Sequence, residues 1–399
     1  MQDRPRRVRP GSPTSLKKAN QALLVRALQV AGALTQAEIA RVTGLAPSTV
    51  SNIVRELSAR DLITVSRAEQ HGRAVQAVRL SRSAGLVVGI DFGHRHLRVA
   101  LADLAYEVLA EERVPLDDGH KVTDGLSEAG RIIDALLAEA ETDRTHVIGI
   151  GMGLPAPIDL RTGQVGAPSI LPGWVGVDAA TVASERLGAA VRVDNDANLG
   201  ALAEARWGAG RGAESLAYLK LSDGVGAGLL IGGQLYRGRS GTAGEIGHVT
   251  MNDFGPVCRC GNRGCLETLV STGAVLDLLE PGHGPGLTIV GVVALARDGD
   301  VSCRRVLADT GHHVGIAVAN LCNVVNPDRI VIGGELAQAG DLLLDSMWHT
   351  LNRYGIPSAV QTVDIVLAEL GARSQLLGAL ALGLQGADPV IAALVRTAP

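Results

Sequence analysis

From residue 86 onward the chain runs twice through one pattern, and that repetition narrows its possible folds more than any other feature. Residues 86–91, 97–102 and 108–113 are three successive strand-length apolar runs. A helical pattern follows over about 122–142, then a strand at 147–151, a helix near 178–187, a strand at 191–194 and a helix from Ala197. The series restarts with strand-length runs at 215–221, 227–231 and 234–236. Strands alternating with helices assemble into layered α/β sheets. A repeat of this size predicts two similar lobes with a cleft between them. The apolar runs stay far below the ~20 residues of a membrane helix. The Arg- and Pro-rich start lacks the apolar core of a secretion signal. A cytoplasmic protein with no membrane partner is expected.

The net charge of -4 hides a second division. Residues 1–82 carry 14 Lys/Arg against 5 Asp/Glu, a net of +9, which leaves -13 for residues 83–399. A small basic module joined to a large acidic one expects an anionic partner for the first only.

Residues 1–18 read as a flexible basic arm and residues 19–82 as a winged helix-turn-helix. Asn20 can cap a helix with Leu23, Leu24, Ala27, Leu28 and Ala31 on one face. Thr35 with Glu38 three residues on makes a capping box for a second helix, whose apolar face is Ile39, Ala40 and Val42. Gly44 supplies the turn, and Pro47 suits the first turn of a third helix. That helix sends Val50, Ile53, Val54 and Leu57 inward and leaves Ser48, Thr49, Ser51, Asn52 and Arg55 outward. Short hydrogen-bonding groups with an Arg suit a helix entering the major groove. Two strands around Arg67, His71, Gly72 and Arg73 form the wing. Operator DNA is the expected partner.

Three of the five cysteines lie within eight positions, as Cys258-x-Cys260-x4-Cys265, with His248 ten residues upstream. Three thiolates and one imidazole complete a closed tetrahedral shell, so a structural Zn2+ is the expected cofactor. Cys303 and Cys322 stand apart and read as core.

The segments Gly241-Thr-Ala-Gly-Glu-Ile-Gly-His248, Cys258-Arg-Cys260-Gly-Asn-Arg-Gly-Cys265-Leu-Glu267 and Asp194-Asn-Asp-Ala-Asn198 resemble the ROK family of repressors, open reading frames and sugar kinases. The resemblance covers about residues 86–386 and implies an actin-like ATPase fold. Lobe one then spans about 86–200 plus the C-terminal helix, and lobe two about 201–370 with a zinc insert at 248–267. Preceded by a winged helix, the body resembles the regulator branch of the family. Asn195, Asp196, Glu245, His248 and Glu267 match the family's sugar-contacting positions. Asp196 matches the general base of the kinases. It also stands where a helix begins, so a capping role is open.

Family kinases hold ATP phosphates with two turns. The first reads Asp-x-Gly followed by small residues and Thr, whereas Asp91 and Gly93 are followed here by His94, Arg95 and His96. The second reads Gly-Thr-Gly, whereas Ser222-Asp223-Gly224 stands here, followed by Gly226 and Gly228. Both departures affect the nucleotide and neither affects the sugar. Gly333-Gly334 resembles the adenosine-side turn and is intact. The expected function is a sugar-responsive repressor of carbohydrate uptake or catabolism genes, with a non-catalytic kinase-like body acting as a homodimer or homotetramer. The alternative is a bifunctional regulator with residual ATP-dependent sugar kinase activity.

Overall fold

The computed structural model describes residues 13–70, 73–117, 120–167 and 170–396. The N-terminal unit contains α1 (Pro13–Ala31), β1 (Ala33–Thr35), α2 (Gln36–Thr43), α3 (Pro47–Ser58), β2 (Ile63–Gln70) and β3 (Arg73–Leu80). Its strands form an antiparallel sheet in the order β1-β3-β2. Thr35 and Glu38 form the reciprocal capping box, with the Glu38 carboxylate accepting from the Thr35 amide at 2.8 Å. Gly44 closes α2 at φ 70, where a side chain would be strained. Val50, Ile53, Val54 and Leu57 are buried, as their spacing predicts.

Two details differ from the sequence reading. The first helix begins at Pro13, so residues 13–18 of the expected arm are helical and Asn20 lies inside the helix. Leu16 through Ala19 are tolerant helix formers, and Lys17 pairs with Glu56 of α3 at 2.7 Å, tying this turn to the module. Leu23, Ala31 and Val42, expected inside, are exposed. In eight-residue α2 only Ile39 is fully buried, with Ala40 partly buried against the same cluster. Residues 1–12 of the arm, and His71 and Gly72 of the wing, lie outside the described residues.

The body repeats one sheet twice. The first contains β4 (Leu86–Phe92), β5 (His96–Asp103), β6 (Val108–Pro115), β7 (Val147–Leu154) and β8 (Val191–Asn195), with α4 (Val122–Glu139) and α5 (Ala179–Leu187). Its order is β6-β5-β4-β7-β8, antiparallel among the first three and parallel thereafter. After α6 (Asp196–Trp207), the second contains β9 (Leu216–Leu221), β10 (Val225–Ile231), β11 (Gln234–Leu235), β12 (Arg329–Gly333) and β13 (Asp364–Leu367). The order β11-β10-β9-β12-β13 reproduces the first topology. Between β11 and β12 stand α7 (Glu267–Val270), α8 (Thr272–His283), α9 (Ile289–Arg297) and α10 (Val301–Val325), and α11 (Asp341–Tyr354) and α12 (Pro357–Val360) precede β13.

The last helix, α13 (Ser374–Arg396), crosses β4 and β7 and packs on α6, which itself lies on β9 and β10. These two helices therefore join the sheets. The approach is close: a Cβ on Gly151 of β7 would fall 1.9 Å from the Ala379 carbonyl oxygen. The winged helix is not hung on a free linker. Leu24 and Leu28 of α1 share one buried cluster with Ala84, Val87 and Leu104 of lobe one and Leu384 of α13.

Candidate effector cleft and DNA face

On α3, Ser48, Ser51, Asn52 and Arg55 are exposed and Thr49 is half-buried. Their outward position follows from the burial of the opposite face. Arg55 donates to the Asn52 amide oxygen at 2.5 Å, which holds the two side chains together on the surface. Arg67 is exposed on β2, and Arg73 opens β3 opposite Gln70.

The thiol cluster folds as its spacing predicts. Cys258 Sγ lies 3.5 Å from His248 Nδ1, and Cys260 Sγ lies 3.6 Å from Cys265 Sγ. All four donor atoms sit within 4.8 Å of one another. Tetrahedral zinc with the usual bond lengths sets sulfur–nitrogen edges of roughly 3.6 Å and sulfur–sulfur edges of roughly 3.8 Å. The donor set therefore fits the ion. The other ring nitrogen of His248 faces Glu245 Oε2 at 3.8 Å.

Asn195, Asp196, Glu245, His248 and Glu267 all line one cavity between the lobes. Each is placed by a recognisable local structure. Asn195 is the cap of α6: its Oδ1 accepts from the amides of Ala197 and Asn198, and its Nδ2 donates to the Ala156 carbonyl. The capping role left open for Asp196 thus belongs to its neighbour. Glu267 begins α7 and accepts from the Val225 amide at 3.0 Å, while Arg259 meets its other oxygen at 2.9 Å. Burial, with Asp196 and Glu267 nearby, pushes the Glu245 carboxyl up to about 7.

Sequence reasoning missed Lys220 and Arg259, which line the same cavity. Lys220 Nζ lies 2.5 Å from Asp196 Oδ2, and both side chains are nearly buried. Burial works against the ammonium, but the Asp196 charge outweighs it and raises the Lys220 pKa above its ordinary value. Lys220 carried a signal: the chain has only four lysines among 37 basic residues. Arg259 stands between two candidate zinc ligands, so metal there would order a residue of the cavity.

The two turns that hold phosphates in kinases touch each other here. His94 and Arg95, after β4, meet the Asp223 carboxylate of lobe two at 3.3 and 3.7 Å. The Thr272 hydroxyl donates to the same carboxylate. Burial opposes the Asp223 charge, yet Thr272, Arg95 and His94 together hold its pKa below the usual carboxylate range. The His96 ring lies over Gly93, so close that a Cβ there would fall 2.0 Å from it, while His96 Nε2 meets Asp91 at 3.4 Å. Arg237, following β11, adds a further tie between lobes at 2.6 Å from Asp194 of β8.

A winged helix packed on a two-lobed actin-like body with a polar interlobe cavity has the architecture of an effector-controlled DNA-binding regulator. Residues 87–385 match the ROK family and residues 16–74 match the MarR family, so the chain belongs to the ROK family and carries a MarR-type winged helix. It is 28% identical to the xylose repressor of Caldicellulosiruptor bescii over 388 residues, 93% of this chain and 97% of that protein. It is 31% identical to the DNA-binding transcriptional dual regulator NagC of Escherichia coli, over 93% of this chain and 94% of that one. The crystal structure of a ROK family transcriptional regulator, a homologue of the Escherichia coli MLC protein, superposes with a TM-score of 0.76 at 25% identity, covering 96% of this chain and 100% of that one. Among the described residues no helix is long and apolar enough to cross a membrane.

Proposed function

We propose that the protein is a cytoplasmic, sugar-responsive repressor of carbohydrate uptake or catabolism genes whose kinase-like body senses a sugar without phosphorylating it. The observation that carries this is the single cavity lined by Asn195, Asp196, Glu245, His248 and Glu267 in a body that shares its core with a winged helix. Acceptor-rich side chains suit a polyol, whose hydroxyls both donate and accept. Zinc on His248, Cys258, Cys260 and Cys265 supplies a rigid cross-link that fixes the cavity wall. Ser48, Thr49, Ser51, Asn52 and Arg55 read operator bases, with Arg67 and Arg73 on the flanking backbone. A homodimer or homotetramer supplies the second half-site.

Two features argue against catalysis. Asp196, the candidate base, has its Oδ2 engaged by Lys220, whose positive charge opposes the uptake of a hydroxyl proton. The first phosphate turn is covered by the His96 ring, and the second is engaged by His94 and Arg95. The Asp196 carboxylate disfavours a phosphate facing it, which points to a free sugar as effector.

Gel shifts on the upstream region of its own gene test this reading, titrated with free and phosphorylated hexoses, pentoses and amino sugars. One sugar changes the operator affinity, and ATP with that sugar yields no phosphosugar. An operator affinity indifferent to every sugar overturns the sensor reading. Sugar-dependent ATP turnover overturns the non-catalytic one.

A further inference from the structure

Cys303 was expected to be an ordinary core residue, yet polar donors converge on it. His283 ends α8, Asp300 caps α10, and Cys303 is the third residue of that helix. The His283 Nδ1 faces the Leu279 carbonyl at 3.2 Å. A carbonyl only accepts, so Nδ1 carries a proton. The remaining nitrogen, Nε2, lies 3.2 Å from Asp300 Oδ2 and 3.8 Å from Cys303 Sγ. Asp300 divides its carboxylate: Oδ1 accepts from the Cys303 amide at 2.8 Å and Oδ2 turns to the ring.

With Nδ1 protonated, a neutral ring would aim its Nε2 lone pair at a carboxylate oxygen. That lone pair calls for a partner: the Cys303 thiol proton at 3.8 Å, a second proton on the ring, or a metal ion. The distances fit the metal. A tetrahedral zinc ion sets a nitrogen–oxygen edge of roughly 3.3 Å and a nitrogen–sulfur edge of roughly 3.6 Å. The three donor atoms lie within 4.8 Å of one another. Thiolate and carboxylate also balance a divalent charge, so the occupied site is neutral beside a fully buried sulfur. An Nδ1–H bonded to a carbonyl is the arrangement that orients metal-binding imidazoles.

We propose that His283, Asp300 and Cys303 form a second metal site for a divalent cation of the zinc class, with a coordination position left to water. The site clamps the end of α8 to the start of α10. At its other end, α8 begins with Thr272, whose hydroxyl bonds Asp223 and whose amide bonds the Ser222 carbonyl. Metal at one end therefore steadies the helix that meets the interlobe contact at the other.

Full-length protein loaded with Zn2+, dialysed and analysed by mass spectrometry for metal per chain tests this. The wild type holds one equivalent more than His283→Gln or Cys303→Ser. Cys260→Ser loses a different equivalent, so the two sites fail separately. His283 is partly exposed, so its Gln variant leaves the core intact. In Co2+-loaded protein, Cys303→Ser removes one thiolate charge-transfer component, and His283→Gln shifts the visible bands. Equal metal content in the wild type and His283→Gln, with unchanged cobalt spectra, overturns the proposal and leaves an imidazolium–carboxylate pair.

Discussion

At the residue scale the Lys220–Asp196 pair is the most demanding feature of the cleft. Both groups have left water, so removing one partner strands the other. Lys220→Met is expected to destabilise the protein by about 3–5 kcal/mol in denaturant titration, and a second change, Asp196→Asn, should recover much of that loss. An unaltered midpoint in Lys220→Met would mean that solvent screens the pair. Asp223 gives a pH test. Its folded pKa is lowered, so its contribution is present above the unfolded value near 3.8 and is lost as pH falls through the folded value. Asp223→Asn should therefore lower Tm at neutral pH and shrink the Tm loss on acidification below about pH 4. The Cys3His cluster and the five polar cavity residues were legible because they lie in short motifs. His94–Asp223 was not: 129 positions separate these residues, and only the folded lobes bring them together.

At the element scale the helices between the sheets carry the load, and their role was only half visible. The duplicated strand pattern predicts the two sheets, because each strand-length run is local. Nothing local predicts that Glu204 of α6 would be fully buried and gather the start of α13. Its carboxylate accepts from the amides of Ala209, Glu369 and Leu370 and from the Ser374 hydroxyl at 2.8–3.2 Å. Glu204→Ala removes the acceptor these four donors share, although Ser374 keeps the Gly371 carbonyl, and a loss of about 1–3 kcal/mol is expected in urea unfolding. Gly151→Ala attacks the same junction from β7, where the added Cβ meets the Ala379 carbonyl. The early start of α1 shows the opposite error. Asn20 looked like a cap, but neighbouring helix formers and the Lys17–Glu56 contact carry the helix past it.

At the scale of the whole molecule the division of charge takes on a mechanical meaning. The basic module should bind DNA with log affinity falling by about 0.9 per phosphate contacted for each decade of salt. Arg55→Ala should weaken that binding while sugar affinity stays unchanged, since no cavity residue lies on α3. Communication between the modules needs a physical route, and a shared core is available. Leu384 of α13 is buried in one cluster with Leu24 and Leu28 of α1, while α13 itself crosses the sheet of lobe one and packs on α6. A sugar alters DNA affinity only by binding two arrangements of the molecule unequally, and the coupling is reciprocal. Leu384→Ala should therefore shrink the sugar-induced change in operator affinity severalfold, and the DNA-induced change in sugar affinity by the same factor. Sugar affinity without DNA should stay within about twofold, because no cavity residue belongs to this cluster. Fluorescence anisotropy with and without saturating sugar measures the first ratio, and calorimetry with and without operator measures the second. Full coupling retained in Leu384→Ala would exclude the α1–α13 contact as the route and leave the lobe-one strands to carry it.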